Sequence, residues 1–515
     1  MLPRSASMRI LLSLLILITL AATSFAVAPS REAIEKWKAD GTYDQKIAAW
    51  KNFRANGGSE PSEHPVISKD KTPDRMALGA AAVDTVRVLV IMVDFNDWPW
   101  TGNRAAGTAA DFDSILFSDR ENDLIVNPTG SMTDYYLENS YGNFYIEGDI
   151  VGWYRMPMDY TYYMGPDSVG LSVASYPNNA QYLALHAVQH ADNEGVDFSQ
   201  YDYKGDGYCD GVIIIHSGPG PEIGERGIWS HKWNLYTDQQ YDGVWVSDYT
   251  MNPEEYGYDL SPIGVFCHEY GHFIGLPDLY DISDETGESQ GLGHWSVMAS
   301  GSYNGNSQRP AHFDSWCKNE VGFIQLIDVV DNMYRVEIPQ IEDQPVAYKL
   351  SNGIAGSDEY WIVENRQKVG FDVGLPGNGL LIYHIDEGEA TNSNPYNYMV
   401  ALEQADGEDQ LAFGGSIGDV GDPFPGFVDN RNFHDLTTPA ATTYASLPTR
   451  IGLWNISDAG EIMTVDLDIS YSRPYVVLSG SDSLVIDDSQ SGDGNGLFEA
   501  GETVQMYFKV KNLML

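Results

Sequence analysis

Cysteine, histidine and positive charge are scarce in this chain. Its 515 residues hold three cysteines, Cys209, Cys267 and Cys317, so at most one disulfide can form and a cystine-stapled scaffold is excluded. Cys267 is expected as a buried small apolar residue rather than a reactive thiol. Lysine and arginine number 29 against 74 aspartates and glutamates, a formal net charge of -45. The imbalance is uneven: residues 1–28 carry +2, residues 29–75 hold nine basic against eight acidic side chains, and the rest holds 18 against 66. So acidic a body repels nucleic acid and anionic lipid and favours solubility and divalent cations. Long apolar runs are also missing, except at the N-terminus. There Arg4 and Arg9 precede an apolar stretch from Ile10 to Ala22, and Ser24-Phe25-Ala26 or Ala26-Val27-Ala28 offers a small-residue cleavage site. Residues 1–28 therefore read as a secretory signal peptide. A permanent anchor wants about 20 apolar residues, so a secreted or extracellular protein without stable membrane insertion is expected.

Among only 11 histidines, two fall in the stretch SPIGVFCHEYGHFIGLPDLYD, residues 261–281. Ser261 is a favoured N-cap, Pro262 suits the first helical position and Gly275 can take the positive φ that ends a helix, which predicts one short helix. His268 and His272 then project from the same face one turn apart, able to reach one ion, with Glu269 beside them. Catalytic zinc takes three protein ligands and lowers the pKa of water to about 7, so a carboxylate such as Glu269 serves as general base. Asp278, presented after the break at Gly275, is the favoured third ligand. His294 and the acidic run Asp284, Glu285 and Glu288 are the alternatives. Tyr303 is a candidate to stabilise the oxyanion.

The pattern H-E-x-x-H-x-x-G-x-x-D, followed by Met298 in WSVMASGSYNG, resembles the metzincin zinc peptidases, in which a methionine turn underlies the metal. The version here is most similar to the immune inhibitor A family of secreted bacterial metallopeptidases. PTGSMTDYYLENSYGNF, DGYCDGVIIIHSGPG, IWSHKW, YWIVENRQKVGFD and GLLIYHID carry the likeness over roughly residues 30–470. The resemblance implies a zinc endopeptidase with His268, His272 and Asp278 as ligands, Glu269 as base and Met298 as the turn residue.

Length and composition allow about three domains with ample cores. Residues 29–80 read as a propeptide of two small helices and a turn-rich linker, with Thr42 and Gln45 spaced as a capping box and Gly57 as a stop. A near-neutral leader suits docking on a very acidic enzyme, and without cysteine it has no thiolate to place on the zinc. Residues 81–325 form the catalytic domain. It opens on a buried strand at Val86–Phe95, then a helix near Met132–Asn139, further strands in NFYIEGDIVGWY and a helix over 177–193 whose His186 and His190 read as structural. His216 and His231 also read as structural histidines. Asp202, Asp206 and Asp210 in a Gly-rich turn suggest calcium, although Lys204 occupies a ligand-like position. Residues 326–470 alternate like a β-rich domain, in which Glu364 and Arg366 can form a structural pair. Residues 471–515 resemble the start of a truncated Ig-like module, with Asp493, Asn495 and Glu502 as further calcium donors. The expected fold class is α+β: a metzincin-like catalytic domain, a mainly-β sandwich and an incomplete Ig-like module. The partners are protein or peptide substrates and the chain's own propeptide. Two other functions compete: a catalytically inactive, calcium-stabilised adhesion protein, and a zinc amidase acting on small or cell-wall peptides.

Overall fold

The computed structural model describes residues 27–54, 61–67, 84–118, 128–283, 289–351 and 357–470, and the strand residues 476–478, 485–487, 505–507 and 510–512. Two helices come first. Helix α1, Arg31–Asp40, starts where the Ser30 hydroxyl accepts from the Ala33 N–H and stops at Gly41, whose φ of 76° only glycine adopts without strain. Helix α2, Tyr43–Arg54, follows. The expected capping box at its start is not formed. The Thr42 hydroxyl donates to Asp40 behind it, and Gln45 reaches the Pro166 carbonyl. Gly57 lies outside the described residues.

The catalytic domain is built on a six-stranded sheet ordered β2-β1-β3-β5-β4, with β6 paired to β5. Its strands are β1 (Asp84–Asp94), β2 (Phe144–Arg155), β3 (Val212–Pro219), β4 (His231–Tyr241), β5 (Val244–Tyr256) and β6 (Asp259–Leu260). β1 runs parallel to β2 and β3, and β3 parallel to β5, while β4 closes the edge antiparallel to β5. The branched run VRVLVIMV fills β1 because a central parallel strand is covered on both faces, and Val88 to Val93 are all buried. Helices α3 (Ala109–Phe117) and α4 (Met132–Asn139) each begin with a complete capping box, at Thr108/Asp111 and Ser131/Asp134. The α5 helix, Ala180–Asn193, packs on the sheet and holds His186 against the Tyr163 hydroxyl at 2.7 Å.

The β-rich domain has a five-stranded sheet, β12-β11-β10-β9-β7, and a four-stranded sheet, β13-β14-β15-β8. The former comprises β7 (Ile327–Asp328), β9 (Tyr348–Ser351), β10 (Glu359–Arg366), β11 (Gly379–Asp386) and β12 (Val400–Leu402). The latter comprises β8 (Met333–Pro339), β13 (Phe433–His434), β14 (Gly452–Trp454) and β15 (Ile462–Asp468). Alternation decides what each face meets. Trp361, Val363, Leu380 and Ile382 share a core with Ile338, Leu453 and Val465 of the second sheet. Ile362, Leu381, Tyr383 and Ile385 join the catalytic core instead. The β10 strand therefore lies between two cores. Its Arg366 is fully buried and meets Glu364 at 3.0 Å and Asp372 at 2.8 Å, the structural role expected for the Glu364 and Arg366 pair. Beyond residue 470, two antiparallel pairs are described: Val476–Leu478 with Val510–Asn512, and Val485–Asp487 with Gln505–Tyr507. Asp493, Asn495 and Glu502 lie outside the described residues, as do Asp284, Glu285 and Glu288.

Candidate active site

Helix α6, Ile263–Phe273, lies wholly in the core. It starts one residue later than its cap signal indicates. Ser261 does not cap it, its buried hydroxyl having no hydrogen-bond partner among the described residues. The Gly264 N–H instead donates to the Ser307 carbonyl at 2.8 Å. At the far end Gly275 turns with φ of 104°, and the 61–67 segment docks on the last carbonyls: the Ser62 N–H donates to His272, which also accepts from Gly275, and the Val66 N–H donates to Phe273.

The turn brings Asp278 back over the helix. Asp278 Oδ1 stands 2.9 Å from His268 Nε2 and 3.5 Å from His272 Nε2, and all three side chains are completely buried. Each imidazole is fixed from behind. His268 Nδ1–H donates to the Val297 carbonyl at 2.8 Å and His272 Nδ1–H to the Leu276 carbonyl at 2.7 Å. The Nε2 lone pairs therefore point inward, the tautomer a metal ligand needs. His268 Nε2, His272 Nε2 and Asp278 Oδ1 have no hydrogen-bond partner among the described residues, and these ligand atoms lie within 4.8 Å of one another. Two imidazole nitrogens and one carboxylate oxygen converging in a dry interior are the donor set zinc takes. Burial holds His272 down to about 4, leaving it neutral. Burial also opposes charge on His268, yet the Asp278 carboxylate outweighs it and raises that imidazole. The point where the three meet favours positive charge.

Glu269 is the next residue on the helix and is fully buried. Loss of solvation pushes its carboxyl up to about 8, and Oε2 has no hydrogen-bond partner among the described residues. Met298 packs beneath the helix where Gly271 leaves room: a Cβ there would fall 2.5 Å from the Met298 sulfur. Gly271→Ala is therefore expected to destabilise the fold by about 1–3 kcal/mol through overpacking, read as a lower melting temperature; an unchanged melt would show that Met298 moves freely.

Residues 27–54 cover this site. The Val27 N–H donates to Glu269 Oε1 at 3.3 Å, and the Val27 carbonyl accepts from the Trp229 indole at 3.0 Å. Ala28 accepts from the Tyr303 hydroxyl at 2.5 Å, and the Ser30 N–H donates to the Glu222 carbonyl. Tyr303 thus lies at the cleft, with its hydroxyl on a backbone carbonyl next to Glu269's partner. Trp37 and Trp50 pack on Trp229 at 5.2 and 6.2 Å. Arg54 ends α2 with its guanidinium between the Trp50 and Tyr280 rings, 3.0 Å from Asp278 Oδ2 and 2.7 Å from the Tyr280 hydroxyl. Sequence reasoning missed Arg54, Trp229 and Tyr280. Tyr280 stands two residues after Asp278, a spacing that could have flagged it, whereas nothing local marks Arg54.

Other candidates fall elsewhere. His294 is not in the triad; it lines the cleft beside Tyr303. His216 and His231 are buried structural residues, bonded to the Ile228 and Trp229 carbonyls. The turn with Asp202, Asp206 and Asp210 holds an internal cation: the Lys204 ammonium sits 2.9 Å from Asp206 and 3.2 Å from Asp210, where calcium was expected. Asp202 caps backbone N–H groups of Asp206 and Gly207. A metal-compatible acidic grouping is found instead at Asp406, Asp419 and Asp422. Cys209, Cys267 and Cys317 are buried free thiols.

Two histidines one turn apart on a buried helix, an aspartate returning after a glycine and a methionine packed beneath define a metzincin-type zinc peptidase site. Comparison with known proteins makes the assignment specific: residues 74–325 match the catalytic domain of the immune inhibitor A peptidase M6 family, and the chain carries that domain. The pre-pro-metalloprotease PrtV of Vibrio cholerae serotype O1 is 31% identical over 303 residues, covering 49% of this chain and 32% of the relative. Immune inhibitor A of Bacillus thuringiensis subsp. alesti is 33% identical over 201 residues, covering 33% of this chain and 28% of the relative. The chain thus spans about a third of the length of the curated relatives it matches.

Proposed function

We propose that this chain is the precursor of a secreted zinc-dependent endopeptidase that hydrolyses peptide bonds of protein substrates. The convergence of His268, His272 and Asp278 beside Glu269 carries the reading. His268 Nε2, His272 Nε2 and Asp278 Oδ1 would hold the zinc. When bound, zinc supplies a Lewis acid that polarises the peptide carbonyl and acidifies water. Glu269 takes the proton from the attacking water and returns it to the leaving amine, a role that suits a carboxyl poised near neutrality. Tyr303 donates to the substrate carbonyl, as it now donates to Ala28. Asp278→Ala should weaken zinc binding by more than the 10- to 100-fold that losing an outer-shell partner costs, measured by competition with a chromophoric chelator. Unchanged affinity would return the third position to His294 or the 284–288 run.

Residues 29–80 are proposed as the propeptide and residues 1–28 as the export signal. The hold of Arg54 on Asp278 supports latency, and the word "pre-pro" in the name of the Vibrio relative accords with it. No described helix is long and apolar enough to cross a membrane. Structural calcium is proposed at Asp406, Asp419 and Asp422, because three carboxylates so close repel one another without a cation, and burial pushes Asp422 up to about 6. Residues 471–515 are proposed as the start of an Ig-like module.

A further inference from the structure

The β-rich domain contains a cavity of about 370 Å³ separate from the zinc site. Its walls are aromatic, with Tyr396, Tyr398, Phe413 and Tyr444 around His384. Tyr396 is 76% exposed and Phe413 46%, with ring centroids 4.9 Å apart. Two large rings in contact at the mouth of a cavity form a patch that a bound ligand would cover.

The floor is charged. His384 is stacked between Trp361 and Tyr444, 4.3 Å from each. Its Nε2 lies 2.9 Å from Glu359 and its Nδ1 3.4 Å from Glu403. Burial alone would discharge the imidazole, but the two carboxylates raise it above its ordinary value. One imidazolium between two carboxylates leaves one negative charge. Asp409 adds a second at the rim, where its carboxylate makes no ion pair or side-chain hydrogen bond among the described residues. Neither lysine nor arginine lines the cavity. Uncompensated carboxylates set among aromatic faces match an organic cation on an apolar stem, its head attracted by charge and its length by cation–π and apolar contact.

We infer that this cavity binds a lysine or arginine side chain of a polypeptide ligand. Its position favours a polypeptide over a free amine. The short helix Gln410–Phe413 supplies Leu411, Ala412 and Phe413 to this cavity, while Gly414 and Gly415 just beyond it line the cleft that holds His294, Tyr303 and the leader. The Gln290 N–H ties the two together by donating to the Leu411 carbonyl at 2.7 Å. Phe413 at the aromatic rim and Gly414 in that cleft are adjacent in the chain, so a polypeptide lying in the cleft has the rim next to it.

The test is equilibrium binding to the full chain, leader in place, of Nα-acetyl-lysine methylamide, Nα-acetyl-arginine methylamide and the uncharged norleucine analogue, with tetramethylammonium as a free cation. Binding is read without turnover, so its failure and that of the protease reading are distinguishable. Both basic probes should bind at least about tenfold tighter than norleucine, and Asp409→Asn and Glu403→Gln should each weaken them several-fold. Asp409→Asn disturbs no side-chain partner among the described residues and so guards against misfolding of the Glu403 variant. Equal binding of charged and uncharged probes, binding of none, or unaltered affinity in both variants would overturn the proposal. Tetramethylammonium binding as tightly as the capped lysine would overturn the polypeptide assignment.

Discussion

Glu269→Gln is expected to lower peptide cleavage by about two to four orders of magnitude, the usual worth of a positioned general base, while zinc stays bound. The substitution keeps size, but it cannot take a proton from water. The ligands are on neighbouring residues and should be untouched: His268 and His272 are held from behind by the Val297 and Leu276 carbonyls rather than by Glu269. The check is kcat/KM on the leader-trimmed chain together with zinc content. A variant keeping more than a tenth of the activity would remove Glu269 from the mechanism, and one that loses zinc would make it a structural residue.

Cutting the chain between residues 67 and 84 and separating the leader should raise cleavage by about a hundred- to a thousandfold. A tethered segment acts at an effective concentration of about a millimolar or more, which a substrate at micromolar concentration cannot displace. The leader is placed to compete. It holds Asp278 through Arg54 and packs on Trp229 through Trp37 and Trp50. Arg54 and Asp278 form a buried pair, and breaking such a pair costs about 3–5 kcal/mol because a charge is left behind without compensation. Arg54→Met should therefore loosen the leader without any cut and give partial activity in the intact chain. Equal cleavage by intact and trimmed chains would show that residues 27–54 only decorate the site.

Much of the active site was legible because it is local. His268, Glu269, His272, Gly275 and Asp278 fall within eleven residues, and the periodicity of an α-helix fixes which face His268, Glu269 and His272 take. The branched run of β1 and the two leader helices were equally plain. The failures share a cause: competing partners distant in sequence. Ser261 looked like a cap, but a carbonyl from Ser307 met the helix first. Arg54 meets Asp278 across 224 residues, a contact no window of sequence reveals. The aromatic cavity around His384 draws on several separate segments and was invisible for the same reason.

The central claim is that zinc held by His268, His272 and Asp278 makes this chain a protease. The direct measurement is cleavage of a denatured protein by the leader-trimmed chain, before and after metal removal and after zinc is restored. The account predicts that activity disappears as one zinc per chain at the triad is withdrawn and returns when it is replaced. Cleavage that persists in the metal-free, folded chain would contradict it.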